Sequence, residues 1–341
     1  MKEGFFLYLV QRGLLAFFTL FVILFASYFL MRLAPGDPSK STMLGEGKDS
    51  LASDRSELGN FSVLREKLHL DKPVIVGFYF WLKNVCKGDF GESVAVDKGK
   101  DVFSLILEHL PSTLKLNFLA LLLTYAFAVP LGIFSAVKEG GKFDNAVSIF
   151  LFFLFSLPVL WSALMLQALF CKGGLFPVFP LKGLAPAVIA GATTWEIAGR
   201  TLLYYVLPVI CLSYTSFAAL ARFCRSGMLD VIKEDYIRTA RSKGVGEFSI
   251  IWHHALRNAV IVMITLFAGL LPSLIGGSIL VEYIFNIPGM GSLSMMALSS
   301  RDLPLMMALF TISGFLTLTG IFIADILYVL ADPRIDFKGR L

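Results

Sequence analysis

The stretch from Met228 to Asn258, MLDVIKEDYIRTARSKGVGEFSIIWHHALRN, holds most of the chemistry this sequence offers. Acids and bases are interspersed through Asp230, Lys233, Glu234, Asp235, Arg238, Arg241 and Lys243, so that chemistry is ionic docking rather than bond making. Met228, Ile232, Tyr236 and Ala240 recur at every fourth position with Leu229 and Ile237 beside them, which predicts a short helix with one apolar face. Glu234 and Arg238 form a favourable pair one turn apart. Arg241 and Lys243 sit where cations suit a helix C-terminus, and Gly244 is placed to take the left-handed backbone that closes it. A second helix is expected over Glu247 to Asn258. His253 and His254 are neighbours on it, about 100° apart, and so do not suit a shared metal. No GxxxxGK[ST] phosphate loop is present: Gly99-Lys100 has Val94 where the first glycine belongs. HExxH is absent too.

The elements around this stretch belong to lipid. Of the 341 residues, 56% are hydrophobic and only 16% charged, and the net charge of +5 is too small to suggest a nucleic-acid partner. A soluble domain carries about 25% charged residues. Six charge-free runs approach or exceed the ~20 residues that cross a bilayer: Gly13–Met31, Leu116–Val137, Asn145–Cys171, Thr201–Ala221, Asn258–Val281 and Leu303–Ala324. Gly183–Trp195 is shorter and reads as an interfacial or re-entrant piece. The first run is longer than a signal peptide's apolar core and lacks a cleavage site, so it is expected to be retained.

Lys and Arg in the short loops set the orientation. With the N-terminus inside, fourteen of them fall on the cytoplasmic side and four outside, which places both termini and Met228–Asn258 in the cytoplasm. The long external segment, residues 33–114, is expected to hold a loop over Ser39–Asn60 and a helix over Leu70–Gly88. Pro73 would lie in that helix's first turn, and Ile75, Phe78, Leu82 and Val85 on one face. It reads as a cap on the spans or as a docking surface. Pro130, Pro158, Pro272 and the Gly276–Gly277 pair mark kinks or close helix contacts. Charge within the spans is nearly absent. Asp325, at the inner edge of the last one, is read as paired or snorkelling, with a proton relay as the lesser reading. Cys86 and Cys171 both fall outside, which leaves a disulfide open.

On physics alone the charged insert fits a helix lying on the lipid surface as well as one seated in a partner. Its residues decide between the two by resemblance. Glu234-Asp-Tyr-Ile-Arg-Thr-Ala-Arg-Ser-Lys-Gly244 followed by His254-Ala-Leu-Arg-Asn258 resembles the coupling-loop signature of binding-protein-dependent ABC importer permeases: EAA, three residues, G, nine residues, I-x-L-P. Arg238-Thr239-Ala240 stands in the EAA place and Gly244 in the glycine's, with His254 and Leu256 at the later positions; Arg257 replaces the proline. RTA and HALRN are similar to the dipeptide/oligopeptide branch. Ala34-Pro-Gly-Asp-Pro38, Leu70-Asp-Lys-Pro73, Gly88-Asp-Phe-Gly91 with Ser93, Leu110-Pro-Ser-Thr-Leu114, Phe285-Asn-Ile-Pro-Gly-Met-Gly291 and Asp332-Pro-Arg-Ile335 match it in order. Phe176-Pro-Val-Phe-Pro180 departs from the branch.

The resemblance implies an all-α, polytopic membrane protein with the six-helix type I ABC importer permease (MetI-like) fold. Residues 1–32 would form the cytoplasmic N-terminus and first span, 33–114 the external segment, and 115–341 a five-helix core with its coupling loop at 222–257. Implied partners are a second homologous permease, two cytoplasmic ATPases that hold ATP and magnesium, an external solute-binding protein and the bilayer of a bacterial plasma (inner) membrane. No cofactor is expected in this chain, and no catalysis. Coupling to the ATPase would fall to Asp230, Glu234, Asp235, Tyr236, Arg238, Thr239, Ala240, Lys243, Gly244, His254 and Leu256. Peptides are the implied cargo, with nickel chelates or glutathione as alternatives carried by related complexes. A secondary transporter or channel is the rival, but it would be expected to show buried ionisable residues or inverted repeats.

Overall fold

The computed structural model describes residues 2–33, 68–69, 71–184, 194–259 and 276–331. Among them the structure is helical. Its elements are α1 (Lys2–Leu33), α2 (Val74–Val85), α3 (Val102–Val137), α4 (Lys142–Ser156), α5 (Val159–Phe170), α6 (Thr194–Ile232), α7 (Asp235–Ser242), α8 (Glu247–Ser249), a π-helical turn (Ile250–Ala255), α9 (Ile279–Ile284), α10 (Met290–Ser300) and α11 (Leu303–Ala331). Among the described residues, extended pairing is limited to two isolated bridges, Glu92 with Asp101 and Cys171 with Phe179. The latter folds the Phe176–Pro180 segment back on the end of α5.

Four described helical stretches are long and apolar enough to cross a membrane: Val10–Leu33, Val102–Val137, Trp195–Ile232 and Leu303–Ile323. A fifth is made if α4 and α5, bent by 95° at their junction, are one span. Most of the expected span Asn258–Val281, with Pro272, lies outside the described residues, as does Ser39–Asn60.

Helix ends differ from the hydropathy ends. α3 begins at Val102 and passes through Pro111, whereas the apolar run starts at Leu116; α6 overruns Thr201–Ala221 at both ends. Hydropathy locates the lipid, while helix length follows backbone hydrogen bonding and caps. Asp101 supplies one such cap, its carboxylate accepting from the Ser104 N–H at 2.8 Å and the Ser104 hydroxyl at 2.9 Å. These donors hold its carboxyl below the usual carboxylate range. α11 continues past Asp325 to Ala331, but its apolar stretch, Leu303–Ile323, ends just before that residue, at the edge expected for it.

Of the expected kinks or close contacts, Pro158 makes a break, while α3 runs unbroken through Pro130 and, at Gly132, lies so close to α6 that a Cβ would stand 2.7 Å from the Ala221 carbonyl. Leu157, pushed to extended backbone by the following proline, leaves α4 at φ −77° and ψ 124°. Its carbonyl accepts from the Tyr214 hydroxyl at 2.7 Å, which in turn accepts from Ser162 at 3.2 Å. A carbonyl freed inside lipid must find such a donor.

The chain forms two compact units, Met1–Pro111 with Ser292–Leu318, and Ser112–Gly291 with Thr319–Leu341. In the first, Leu24, Tyr28, Phe78, Leu303 and Met307 make the core, with Phe25 and Trp81 against it. α2 turns Gly77, Phe78 and Leu82 toward this core and leaves Ile75 exposed, so the expected Ile75–Phe78–Leu82–Val85 face holds at Phe78 and Leu82 and fails at Ile75. Pro73 is its N-cap, one position before the expected first turn. Cys86 is an exposed free thiol and Cys171 a buried one.

Asp302 ties this unit together. One carboxylate oxygen accepts the Ser93 hydroxyl at 2.5 Å and the backbone N–H groups of Val94, Ala95 and Val96 at 2.9 to 3.1 Å. The other accepts from the N–H of Leu305 in the first turn of α11, at 3.3 Å. Asp302→Ala strands these donors, at about 1–3 kcal/mol for each one left dry. The expected result is faster proteolytic cutting between Ser93 and Lys100 in the purified protein; unchanged cutting would show that the carboxylate does not hold the loop.

In the second unit three clusters line α6 in turn. One joins Leu116, Ala163, Leu207 and Phe285; the next Ala128, Leu151 and Ala218; the last Ile133, Met228, Ile237 and Ile250. Two carboxylates that flank the expected spans are buried in the protein. Glu282, expected only to bound a span, is buried, its carboxylate accepting from Thr113 at 2.9 Å and the Gly291 N–H at 2.7 Å. Asp144 is buried as well and is described with the site it supports.

Candidate functional site

The charged insert folds differently from its sequence periodicity. α6 runs on to Ile232 and breaks at Lys233 and Glu234, and α7 starts afresh at Asp235. Met228, Ile232 and the exposed Asp230 are thus the end of a span helix, not the start of the short one. The break resets the helical phase. Counting by fours from Met228 lands on Tyr236, which is 41% exposed, while the inward residue is Ile237 at 0%. Ile237 packs with Met228, Ile250 and Ala255, and Ala240 and Leu256 close the sides of this seat.

Glu234 is the N-cap of α7 but makes no side-chain capping bond. The expected Glu234–Arg238 pair is replaced by Asp235–Arg238, at 3.3 Å with both side chains largely exposed. Such a pair contributes under about 1 kcal/mol and leaves both groups free to take another partner.

The C-terminus of α7 is more firmly made. Gly244 has φ +77°, its N–H donates to the Arg241 carbonyl at 3.0 Å, and the Val245 N–H donates to the Ala240 carbonyl at 3.2 Å. These are the two bonds of a Schellman close, with Val245 and Ala240 in the same apolar cluster. Across the turn Arg241 grips Glu247 with two bonds, 2.8 and 3.2 Å. The amide of Asn258 donates to the Tyr236 hydroxyl at 2.6 Å, so α7 is also fastened to the helix over 256–259.

Ion pairs that the sequence did not reveal fix the end of α6. Asp144, 2% exposed, accepts two bonds from Arg225 at 2.6 and 2.7 Å, one from Ser135 at 2.5 Å and one from the Gly140 N–H at 3.0 Å. All four are donors and match an ionised carboxylate. Lys233 reaches Glu139 at 3.0 Å. The partners are far apart in sequence, and the only earlier signal was that each charge flanks an apolar run.

The structure gathers Tyr236, Ala240, Gly244 and Leu256 into one seat and its fastening. Glu234, Asp235, Arg238, Thr239, Lys243 and His254 are left pointing to solvent. Phe248, which the sequence reading passed over, is 72% exposed and meets the Trp252 ring in a tilted contact, centroids 6.0 Å apart. The result is a short, seated helix presenting charges of both signs outward, with Phe248 exposed beside it. Such a surface can dock a partner and transmit its movement; none of its groups is arranged to make or break a bond.

Residues 128–337 match the family model described as "Binding-protein-dependent transport system inner membrane component". The chain is 38% identical over 331 residues to an oligopeptide transport system permease protein, AppB, of Bacillus subtilis (strain 168), covering 97% of this chain and 99% of the relative. It is 32% identical over 363 residues to an inner membrane ABC transporter permease protein, YejB, of Escherichia coli O157:H7, covering 98% and 99%. A solved inward-facing MetNI methionine ABC transporter superposes with a TM-score of 0.49 at 16% identity, covering 67% of this chain and 97% of that one. Matched over most of its length by sequence and built of apolar helices, the chain belongs to the binding-protein-dependent transport system inner membrane components, the multi-pass permease subunits of ABC importers.

Proposed function

We propose that this permease pairs with a second, homologous one, and that α7 seats in a cleft on one of two cytoplasmic ATPases. The observation that carries this reading is the exposed face of α7 standing on a fully buried Ile237, with its far end closed by Gly244 and by Arg241–Glu247. An eight-residue helix is not stable alone in water; here the seat holds it. Asp230, Glu234, Asp235, Arg238, Thr239, Lys243 and His254 make the contact, and Tyr236, Ala240, Gly244 and Leu256 keep it rigid. ATP and magnesium are held by the ATPases, and hydrolysis happens there. The permease responds only as far as the motor binds one of its conformations better than the other.

The excess of cytoplasmic Lys and Arg supports an orientation with both termini inside. The cargo we propose is peptide, received from an external binding protein, with segment 33–114 on the receiving side. Arg238→Glu combined with Lys243→Glu tests the docking. The expected result is roughly tenfold less ATPase co-purified at each step of salt, the equivalent of about 1.4 kcal/mol, with uptake of a radiolabelled tripeptide lost and membrane insertion unchanged. Normal ATPase recovery and uptake would remove α7 from the interface.

A further inference from the structure

Next to α7 the fold leaves an aromatic ring in the open. Phe248 is 72% exposed and sits in α8, whose first residue, Glu247, is gripped by Arg241 of α7 at 2.8 and 3.2 Å. Its ring meets that of Trp252, and Trp252 packs in turn against the cluster of Ile237, Ile250 and Ala255. Phe248 therefore stands on the seat that holds α7, backed by a ring but not covered.

A single exposed apolar side chain is ordinary; the place of this one is not. The helical stretch 247–259 is unbroken, and the apolar run begins at Asn258, ten residues beyond Phe248. At about 1.5 Å per residue, that is roughly 15 Å along the axis. A tilt of ~20° shortens the depth only slightly, and the headgroup layer is about 5–8 Å thick. His253, His254 and Arg257, all exposed, lie in between. Lipid is thus too far away to cover the ring. What lies beside it is the exposed face of α7, joined to it through Arg241 and Glu247. We infer that Phe248 is a second anchor of the docking surface, its ring entering an apolar pocket on the same ATPase that receives α7. The inference rests on the α7 reading above and adds to its ionic contacts a desolvated aromatic one, of the kind that dominates interface energies. Trp252 holds the ring in place beforehand, so little side-chain freedom is lost on binding.

The test uses the whole complex in cell membranes, with the photo-cross-linker p-benzoylphenylalanine installed at position 248 and, in a parallel strain, at the exposed position 239 of α7. Light is expected to join position 248 to the ATPase. Adducts to lipid or to the second permease, or no adduct, overturn the anchor. An adduct from position 239 but not from 248 leaves the docking of α7 standing and sinks Phe248. An adduct from 248 alone removes α7 from the contact and keeps Phe248 in it. Phe248→Ala should weaken rebinding of the ATPase to membranes stripped of it about thirtyfold, the equivalent of about 2 kcal/mol. Phe248→Leu, which keeps apolar bulk, should recover most of that loss. The melting temperature of the permease without its ATPases should be the same in both variants, because the ring is exposed. Undiminished ATPase binding by Phe248→Ala overturns the anchor, and so does a lower melting temperature in that variant, which would make the ring's role internal packing on Trp252.

Discussion

Ile237→Asp is expected to abolish uptake and detach the ATPases while every apolar span is left chemically untouched. Ile237 has no exposed surface and packs with Met228 and Ile250, which are equally buried. Truncating such a residue to alanine costs about 2–5 kcal/mol, and an ionised carboxylate in its place costs more. α7 has only eight residues to set against that loss. It would leave its seat, and a motor pulling on it would move a loose segment instead of the spans. Gly244→Pro should give the same outcome by another route. Proline requires φ near −65° where the backbone is at +77°, and it removes the N–H that bonds Arg241. Ile237→Val, which keeps the packing at a cost of about 0.5–1.5 kcal/mol, should transport nearly normally. ATPase pull-down and tripeptide uptake read all three variants. Retained uptake in Ile237→Asp would mean that the seat does not hold the coupling element.

Asp144→Ala is expected to bring the second-largest loss, this time in stability. Removing one partner of a buried ion pair costs about 3–5 kcal/mol, because the other charge is left without compensation. The low end applies here, since Arg225 keeps 29% of its side chain exposed. The Ser135 hydroxyl and the Gly140 N–H lose their acceptor at the same time. These bonds join the end of α3, the start of α4 and α6, just before the break that leads into α7. A clear drop in melting temperature of the purified complex should follow, with weaker coupling below it. Asp144→Leu with Arg225→Met removes both charges and should recover part of the drop. An unchanged melting temperature in Asp144→Ala would show that the pair contributes nothing.

Several features were readable before any fold was known. Lipid is a uniform solvent, so each span must be a long apolar run, and five of the six expected runs coincide with helices or with the bent pair. Gly244 was readable because a positive φ selects glycine. The position of the helix ends was not, since α3 and α6 extend well beyond the apolar residues that announce them.

What could not be read shares one cause: the partners are distant along the chain. The spacing Met228–Ile232–Tyr236–Ala240 is continuous in sequence, yet the helix breaks at Lys233 and Glu234, and only packing against Ile250 shows that Ile237 is the inward residue. Ile75 was misplaced on the inward face of α2 for a similar reason: the Tyr28 side chain packs against Gly77 and Phe78, whatever the apolar spacing of the helix itself. Asp144, Glu282 and Asp302 looked like charges that merely end apolar runs. In the fold each is buried and bonded, to Arg225, Thr113 and Ser93 respectively. Sequence alone therefore determined where the long apolar runs lie, where a charged insert interrupts them and where its turn must be glycine, because those are local demands on single residues. The seat under α7, the locks on α6 and the fit of Tyr28 against Gly77 were decided only in three dimensions, where a carboxylate and its donors, or an aromatic ring and its glycine, are brought together by helices that are far apart in the chain.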